Sequence, residues 1–257
     1  MPDKARQLER HQRRLDPSSS TIDRSVRQGF GSYGRYWIES FKLPHLRAKT
    51  IAANFRVTNL EHLTDVCKDD CGPILVMPHL GGWEWAAAWL TRYRSFSVSA
   101  VVERLEPEDV YEWFRSLREG YGVQVVPLGA SAMGELVKLI RSGTIVALMA
   151  DRDVAGTGVE VEFFGEITRL PVGPALLSRR TGAPLLPTAV FYDGWGYHAD
   201  VGEPIYPEWG EDLRRDLVDV TQQLAYHLED LIRQAPDQWH VLEPNWPSDY
   251  LEPGVDL

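Results

Sequence analysis

Residues 73–84 read Pro-Ile-Leu-Val-Met-Pro-His-Leu-Gly-Gly-Trp-Glu. The apolar run at the start has the composition of a buried β-strand, and Pro78, Gly81 and Gly82 then mark a tight turn. A helical pattern begins directly after the turn, at about residue 82. Ligand sites in α/β proteins lie at the carboxyl ends of strands. The stretch therefore predicts a strand–turn–helix unit with a functional site close to residue 79.

The same alternation continues on both sides of this unit. Further strand-like runs occur at 98–102, 123–126, 145–149 and 185–191. Helical patterns lie at about 82–93, 107–120, 130–141 and 172–182, and a last helix is predicted over 213–232. Alternation of this kind predicts an α/β fold with a central, mostly parallel sheet flanked by helices.

Length and charge narrow the class of protein. A chain of 257 residues suffices for one large domain, which we predict to span 1–257, with N-terminal helices over 1–55 and a loose acidic tail over 243–257. The net charge of -10 argues against a nucleic-acid partner. Cys67 and Cys71 lack further ligands at zinc-site spacing, which predicts reduced cysteines and no metal site.

The N-terminal region has a different character from the rest. Residues 4–14 carry five Lys and Arg against one Glu, which fits an anionic membrane surface, although charge alone favours a solvated, frayed helix. A helix over 22–41 follows, with an aromatic stripe that predicts burial first and contact with lipid second. The stripe consists of Phe30, Tyr33, Tyr36, Trp37 and Phe41.

No apolar run reaches the 18 or so residues of a membrane-spanning helix, and the first 20 residues are too polar for a signal peptide. We therefore expect a peripheral protein on the cytoplasmic face of the cell membrane.

His79 and Glu84 are the candidate catalytic pair. Five residues apart, they would lie on different faces of a continuous helix, but a glycine turn lets Glu84 reach back to the imidazole. A carboxylate that accepts Nδ1–H leaves Nε2 free to take a proton from an alcohol. The alternative is a buried histidine satisfied by the backbone and a solvent-facing glutamate.

His79-x4-Glu84 matches the H-x4-D/E signature of glycerolipid and lipid A acyltransferases. Residues 78–84 look most like the phosphatidylinositol mannoside acyltransferases of mycobacteria, and residues 33–44, 150–154, 158–165 and 169–174 resemble further blocks of that family in the same order. The likeness spans about 28 to 246. It implies transfer of a fatty acyl group from acyl-CoA to a hydroxyl of a membrane glycolipid, most closely a phosphatidylinositol mannoside. Because the sequence has no zinc-protease, P-loop or dinucleotide motif, we expect no metal and no redox cofactor.

The resemblance also implies residue roles. His79 is the general base, Glu84 orients it, and Glu160 is a second acidic partner, with Glu162 as its rival on the same strand face. Glu103 and Arg118 match positions important for activity, and we expect them to bind acceptor hydroxyls or phosphate.

Other assignments stay open from the sequence. Arg118 is equally well read as a helix-surface charge beside Arg115 and Glu119. Arg152, between two aspartates at a predicted strand end, either lines the cleft or belongs to a charged loop. Backbone N–H groups near Gly81 and Gly82 are candidates for binding the tetrahedral oxyanion.

Two departures bear on the acceptor. The mannoside enzymes usually have Asp and Asn where this chain has Glu84 and Gly82, whereas Glu is common in the lipid A branch. That branch usually carries an N-terminal membrane anchor, which we do not expect here because residues 1–20 are polar. The alternatives are a lipid A-type or lysophospholipid acyltransferase, and a non-catalytic lipid-binding homologue.

Overall fold

A computed structural model describes residues 2–68, 71–103 and 106–250 of the chain. The strands are β1 (Phe55–Thr58), β2 (Ile74–Met77), β3 (Val98–Val102), β4 (Val123–Pro127), β5 (Ile145–Met149), β6 (Val159–Phe163), β7 (Glu166–Leu170), β8 (Leu185–Asp193) and β9 (Gly196–Val201). The helices are α1 (Pro2–Leu15), α2 (Ile22–Lys42), α3 (Ala48–Ala53), α4 (Leu60–Val66), α5 (Trp83–Ala88), α6 (Glu108–Glu119), α7 (Ala132–Arg141), α8 (Gly173–Thr181) and α9 (Leu213–Gln234). One π-helical turn, Trp89–Tyr93, continues α5, and 3-10 turns occur at Leu43–His45, Pro236–Gln238 and Pro247–Tyr250.

Within the described residues, seven strands form one sheet in the order β1-β9-β8-β2-β5-β3-β4. All neighbouring strands pair in parallel except β8 and β9, which form an antiparallel hairpin. Strands β6 and β7 form a separate antiparallel hairpin. The predicted α/β fold with a mostly parallel sheet flanked by helices is confirmed.

The sheet has an apolar layer on each face because successive strand side chains point to opposite sides. On β2, Ile74 and Val76 join the core beneath α7, α8 and α9. Leu75 and Met77 join the opposite layer, beneath α5. A strand buried on both faces has no polar alternation, which explains the continuous apolar run of the sequence.

The pairing of β2 with β5 positions the site. Their register places Met77 beside Met149 at the carboxyl ends of the two strands. Because the strands are parallel, the residues that follow them, His79 and Asp151, emerge next to one another at the same edge of the sheet.

The chain termini pack together, so two predictions about them are wrong. Helix α1 is not a frayed helix, since Leu8 and His11 are fully buried. The tail is not loose over 243–250, since Trp246 and Asp249 are buried. Arg14 pairs with Asp249 and Glu166, and Lys4 pairs with Glu243. The basic residues of α1 therefore pair with acidic residues that include Glu243 and Asp249 of the C-terminal tail. Residues 251–257 of the tail lie outside the described residues.

The aromatic stripe of α2 is buried only in part. Tyr36 is 5% exposed and packs inward, whereas Phe41 is 44% exposed. None of the described helices combines the length and the hydropathy that crossing a bilayer requires.

Candidate active site

The turn after β2 requires glycine at position 81 and is closely packed at position 82. Gly81 has a φ of +61°, and a Cβ there would lie 1.9 Å from the carbonyl oxygen of Val190. A Cβ on Gly82 would lie 2.7 Å from the ring of Tyr197. The turn is thus pressed against β8 and β9, and this contact fixes the direction in which His79 leaves the sheet.

His79 is held by Asp151. The imidazole Nδ1 lies 2.7 Å from Asp151 Oδ1, and the backbone N–H of His79 donates to Oδ2 at 2.8 Å. Asp151 is fully buried, while the His79 side chain is 31% exposed. An ionised carboxylate accepts only, so Nδ1 carries the proton and Nε2 is the basic nitrogen. This is the geometry of a histidine general base.

The Asp151 carboxylate is held in its ionised form. Burial by itself raises the pKa of Asp151, but the charge of His79 when protonated and the hydrogen bonds from its ring, the Trp239 indole and the His79 backbone outweigh it. The resulting pKa lies below the ordinary value for aspartate. Asp151 therefore carries the negative charge that stabilises an imidazolium at His79.

The prediction that Glu84 orients His79 is wrong in this structure. The Glu84 carboxylate is buried in a different cluster, where Arg118 Nη2 donates to Oε1 at 2.5 Å and Tyr36 Oη donates at 3.0 Å. Tyr121 donates to the other carboxylate oxygen. Glu84 lies on the first turn of α5 facing α6, so the helix carries its side chain away from the imidazole.

The same contacts decide the charge of Glu84. Burial raises the pKa of Glu84, but the charge and hydrogen bonds of Arg118 and the hydroxyls of Tyr121 and Tyr36 outweigh burial. The net pKa lies below the ordinary value for glutamate. Arg118 is thus held by a buried carboxylate, and the alternative of a surface ion pair is wrong. Its neighbour Arg115 does form exposed pairs, with Glu112 and Glu119.

The oxyanion role predicted for the two glycine amides does not fit. Gly81 N–H donates to the Gln238 carbonyl at 2.9 Å, and Gly82 N–H donates to the Val190 carbonyl at 3.1 Å. Both groups are therefore engaged in holding the turn in place.

The remaining predicted site residues are spread around the sheet edge. Glu160 and Glu162 are exposed on β6, where Glu160 pairs in register with Arg169, and Asp151 has the place at His79 that was predicted for Glu160. Glu103 is exposed directly after β3. Arg152 is half-buried and follows Asp151 in the loop after β5. The binding roles of Glu103, Arg118 and Arg152 stay predictions.

An apolar groove opens beside Trp83 and the carboxyl ends of β2 and β5, where Met77 and Met149 line it. Its open volume, including solvent at the mouth, is about 870 Å³. Alanines of three strands (Ala100, Ala147 and Ala199) line it together with Trp83 and other large apolar side chains. The Trp83 ring also makes an edge contact with His79, at 5.7 Å between centroids. An extended apolar ligand in the groove would therefore end close to the histidine.

A second histidine that the sequence reading missed lies beside the first. The backbone N–H of His240 donates to the His79 carbonyl at 2.7 Å, and the His240 ring lies 5.7 Å from the Trp83 ring. Burial, helped by the charge of His79, lowers the pKa of His240 to about 3. His240 is therefore a neutral, very weak base near pH 7, which leaves His79 as the candidate for proton removal.

Within the described parts of the chain, no group of three His, Cys, Asp or Glu side chains is arranged to hold a metal ion. Cys67 and Cys71 are free cysteines.

Comparison with known proteins shows the family of the chain. The profile of the family described as bacterial lipid A biosynthesis acyltransferase matches residues 16–248. The chain belongs to this family. Relatives named phosphatidylinositol mannoside acyltransferase, from two strains of Mycobacterium tuberculosis, are 38% identical over 241 residues, which is 92% of this acyltransferase and 74% of the relatives. A relative of the same name from Mycolicibacterium smegmatis is 35% identical over 237 residues, or 91% of this chain and 76% of its own.

Proposed function

We propose that this acyltransferase moves a fatty acyl group from acyl-CoA to a hydroxyl of a membrane glycolipid, most closely a phosphatidylinositol mannoside. The observation that supports the proposal most directly is the His79–Asp151 pair, beside which Trp83 lines an apolar groove and contacts His79. The acceptor class comes from the names of the mycobacterial relatives. A lipid A-type or lysophospholipid acceptor is the alternative within the family.

In the proposed reaction, Nε2 of His79 removes the proton of the acceptor hydroxyl as its oxygen attacks the thioester carbonyl. Asp151 stabilises the imidazolium that forms. The tetrahedral intermediate then collapses, the carbon–sulfur bond breaks, and the leaving thiolate takes the proton from the imidazolium. The products are an ester and free CoA, and the acyl chain occupies the groove lined by Ala100, Ala147 and Ala199.

The test is release of free CoA thiol from palmitoyl-CoA, compared with mannosylated phosphatidylinositol, with a lipid A precursor and with no acceptor. Release that needs the mannosylated lipid supports the proposal, and release that needs the lipid A precursor moves the acceptor to the other branch. Release without any acceptor means hydrolysis of the thioester. If lipid binds and no thiol appears in any mixture, the protein is a non-catalytic lipid binder and the proposed reaction is wrong.

We further propose that the protein docks peripherally on the anionic cytoplasmic face of the membrane. Ile38 and Phe41 of α2 and Val110 and Trp113 of α6 are exposed apolar side chains, and the Phe41 and Trp113 rings pack edge to face at 5.2 Å. These four residues are called the apolar face. The inner side of α2 reaches the site, since Tyr36 stacks on Trp83. A lipid substrate at this face would thus lie close to His79.

The distribution of charge favours docking through the same side of the protein. Residues 22–56, which contain α2, carry seven Lys and Arg against two Asp and Glu, whereas the whole chain has a net charge of -10. The basic residues of α1, predicted to bind the membrane, are instead paired within the chain. Arg35 and Arg56 are also paired, with Glu39 and Asp193, so the attraction to anionic lipid belongs to the other five residues, Arg24, Arg27, Lys42, Arg47 and Lys49.

Replacing Phe41 and Trp113 together with serine should weaken binding to liposomes that contain phosphatidylinositol by at least about fivefold, because two large apolar side chains lose their contact with lipid. Binding of the wild type should also fall as salt rises. Sedimentation with liposomes measures both effects. The matched control is Tyr226→Ser on α9, exposed on the other face of the sheet and expected to bind like wild type. Equal binding by all three proteins would contradict this docking face.

A further inference from the structure

The segment from Gln238 to Asn245 lies over the His79–Asp151 pair. Gln238 and His240 bond to the backbone of the turn that carries His79, and Asn245 Nδ2 donates to the Asp151 carbonyl at 2.9 Å. Trp239 does something different, because its indole Nε1–H donates to the Asp151 carboxylate itself, at 2.8 Å from Oδ2. This hydrogen bond connects the C-terminal segment to the carboxylate that accepts from His79 Nδ1.

The contact completes a clamp on both carboxylate oxygens. Oδ1 accepts from His79 Nδ1, and Oδ2 accepts from the His79 backbone N–H and from Trp239. Rotation of the carboxylate would break all three hydrogen bonds at once. A carboxylate held in this way keeps one oxygen in line with Nδ1 through each proton transfer.

The indole is itself held rigidly. Trp239 is fully buried, and its ring lies 5.3 Å from His11 of α1 and 6.2 Å from Trp246. His11 also bonds the backbone of this segment through the Val241 carbonyl, at 3.0 Å. The N-terminal helix thus fixes the segment that fixes the carboxylate.

We infer that Trp239 is a positioning residue for acyl transfer, which acts by holding the Asp151 carboxylate in line with His79. The inference depends on the proposed function, since it requires that the His79–Asp151 pair performs the proton transfer.

The variant that tests it is Trp239→Phe, which keeps an aromatic ring and removes the N–H group. We expect kcat to fall by about tenfold with KM within twofold of wild type, because a hydrogen bond to a charged group is lost where the base is aligned. The matched control is Trp246→Phe. Trp246 is equally buried in the same cluster, but its indole donates to the Phe163 carbonyl at 3.0 Å, so kcat should be unchanged.

A double-mutant cycle with Asp151→Asn separates positioning from packing. If Trp239 acts through the carboxylate, Trp239→Phe lowers kcat further by less than about twofold once Asp151 is gone. A further tenfold loss in that background, or equal kcat for Trp239→Phe and Trp246→Phe, would overturn the inference. Activity is compared well below the melting temperatures of all variants, so that loss of folded protein does not enter.

Proton NMR gives a readout that packing alone would not change. The low-field resonance of the His79 Nδ1–H should shift or broaden in Trp239→Phe and stay in place in Trp246→Phe. If Asp151→Asn keeps wild-type kcat, the proposed function of the His79–Asp151 pair fails. If Asp151→Asn is slow and Trp239→Phe is fast with an unshifted resonance, the inference about Trp239 fails and the pair stands.

Discussion

His79→Asn is expected to lower kcat for acyl transfer by about 10²- to 10⁴-fold, the usual contribution of a general base. The asparagine amide can still donate to Asp151 Oδ1 from near the former Nδ1 position, but no nitrogen remains where Nε2 lay. The buried carboxylate keeps a partner, so the free energy of unfolding should change little. Thiol release with the acceptor lipid measures kcat, and chemical denaturation measures stability.

Two further variants separate loss of the base from loss of stability and from an unspecific effect of replacing a histidine. His79→Ala should be as slow as His79→Asn but less stable, because it takes a hydrogen bond from a buried charge. His62→Asn is the matched control. His62, on α4, is also half-buried, and its Nδ1 bonds the carbonyl of Val201. His62→Asn should turn over like wild type. A rate for His79→Asn within threefold of wild type would rule out His79 as the general base.

The fold could be predicted because its elements are strongly patterned. The runs at 98–102 and 145–149 coincide with β3 and β5, and the helix predicted over 22–41 is α2 with one more residue. The strand β9 was missed because its six residues alternate between buried and partly exposed positions and form no continuous apolar run. Local pattern thus predicts strands with a continuous apolar run and fails for a strand such as β9 that lacks one.

The carboxylate that binds His79 could be predicted only with knowledge of the strand order. Asp151 is 72 residues away from His79, and the two meet only because β2 lies beside β5. A signal was present, since each residue stands two positions after the end of a buried strand. Spacing along the chain favoured Glu84 instead, but a residue on the first turn of a helix points where the helix face directs it.

The C-terminal segment was misread from its composition. Prolines and acidic residues predicted a loose tail, whereas Trp239 and Trp246 are fully buried and connect the tail to the core. Large aromatic residues in a polar segment were the signal that outweighed the composition, because their burial stabilises the segment.

Arg118→Met is expected to lower the free energy of unfolding by about 3 kcal/mol, because it leaves the buried Glu84 carboxylate without its cationic partner. The value is at the lower end for a buried pair because the Arg118 side chain is 17% exposed. The double variant Glu84→Gln/Arg118→Met should recover part of the loss, since no charge then remains buried. The matched control is Arg115→Met on the same helix, whose pairs are exposed and whose loss should be below about 1 kcal/mol.

The pH dependence of this loss has a defined sign. In the wild type the pKa of Glu84 is lowered, so its contribution to stability is present above the ordinary pKa of glutamate and is lost only as pH falls through the lowered value. Without Arg118, burial dominates and raises the pKa of Glu84 above the ordinary value. The folded variant then takes up a proton as pH falls, which stabilises it. The stability difference between Arg118→Met and wild type, measured by chemical denaturation, should therefore be smaller at pH 5 than at pH 7.5. A difference that is equal at the two pH values, or a double variant no more stable than Arg118→Met, would mean that Arg118 does not hold the charge of Glu84.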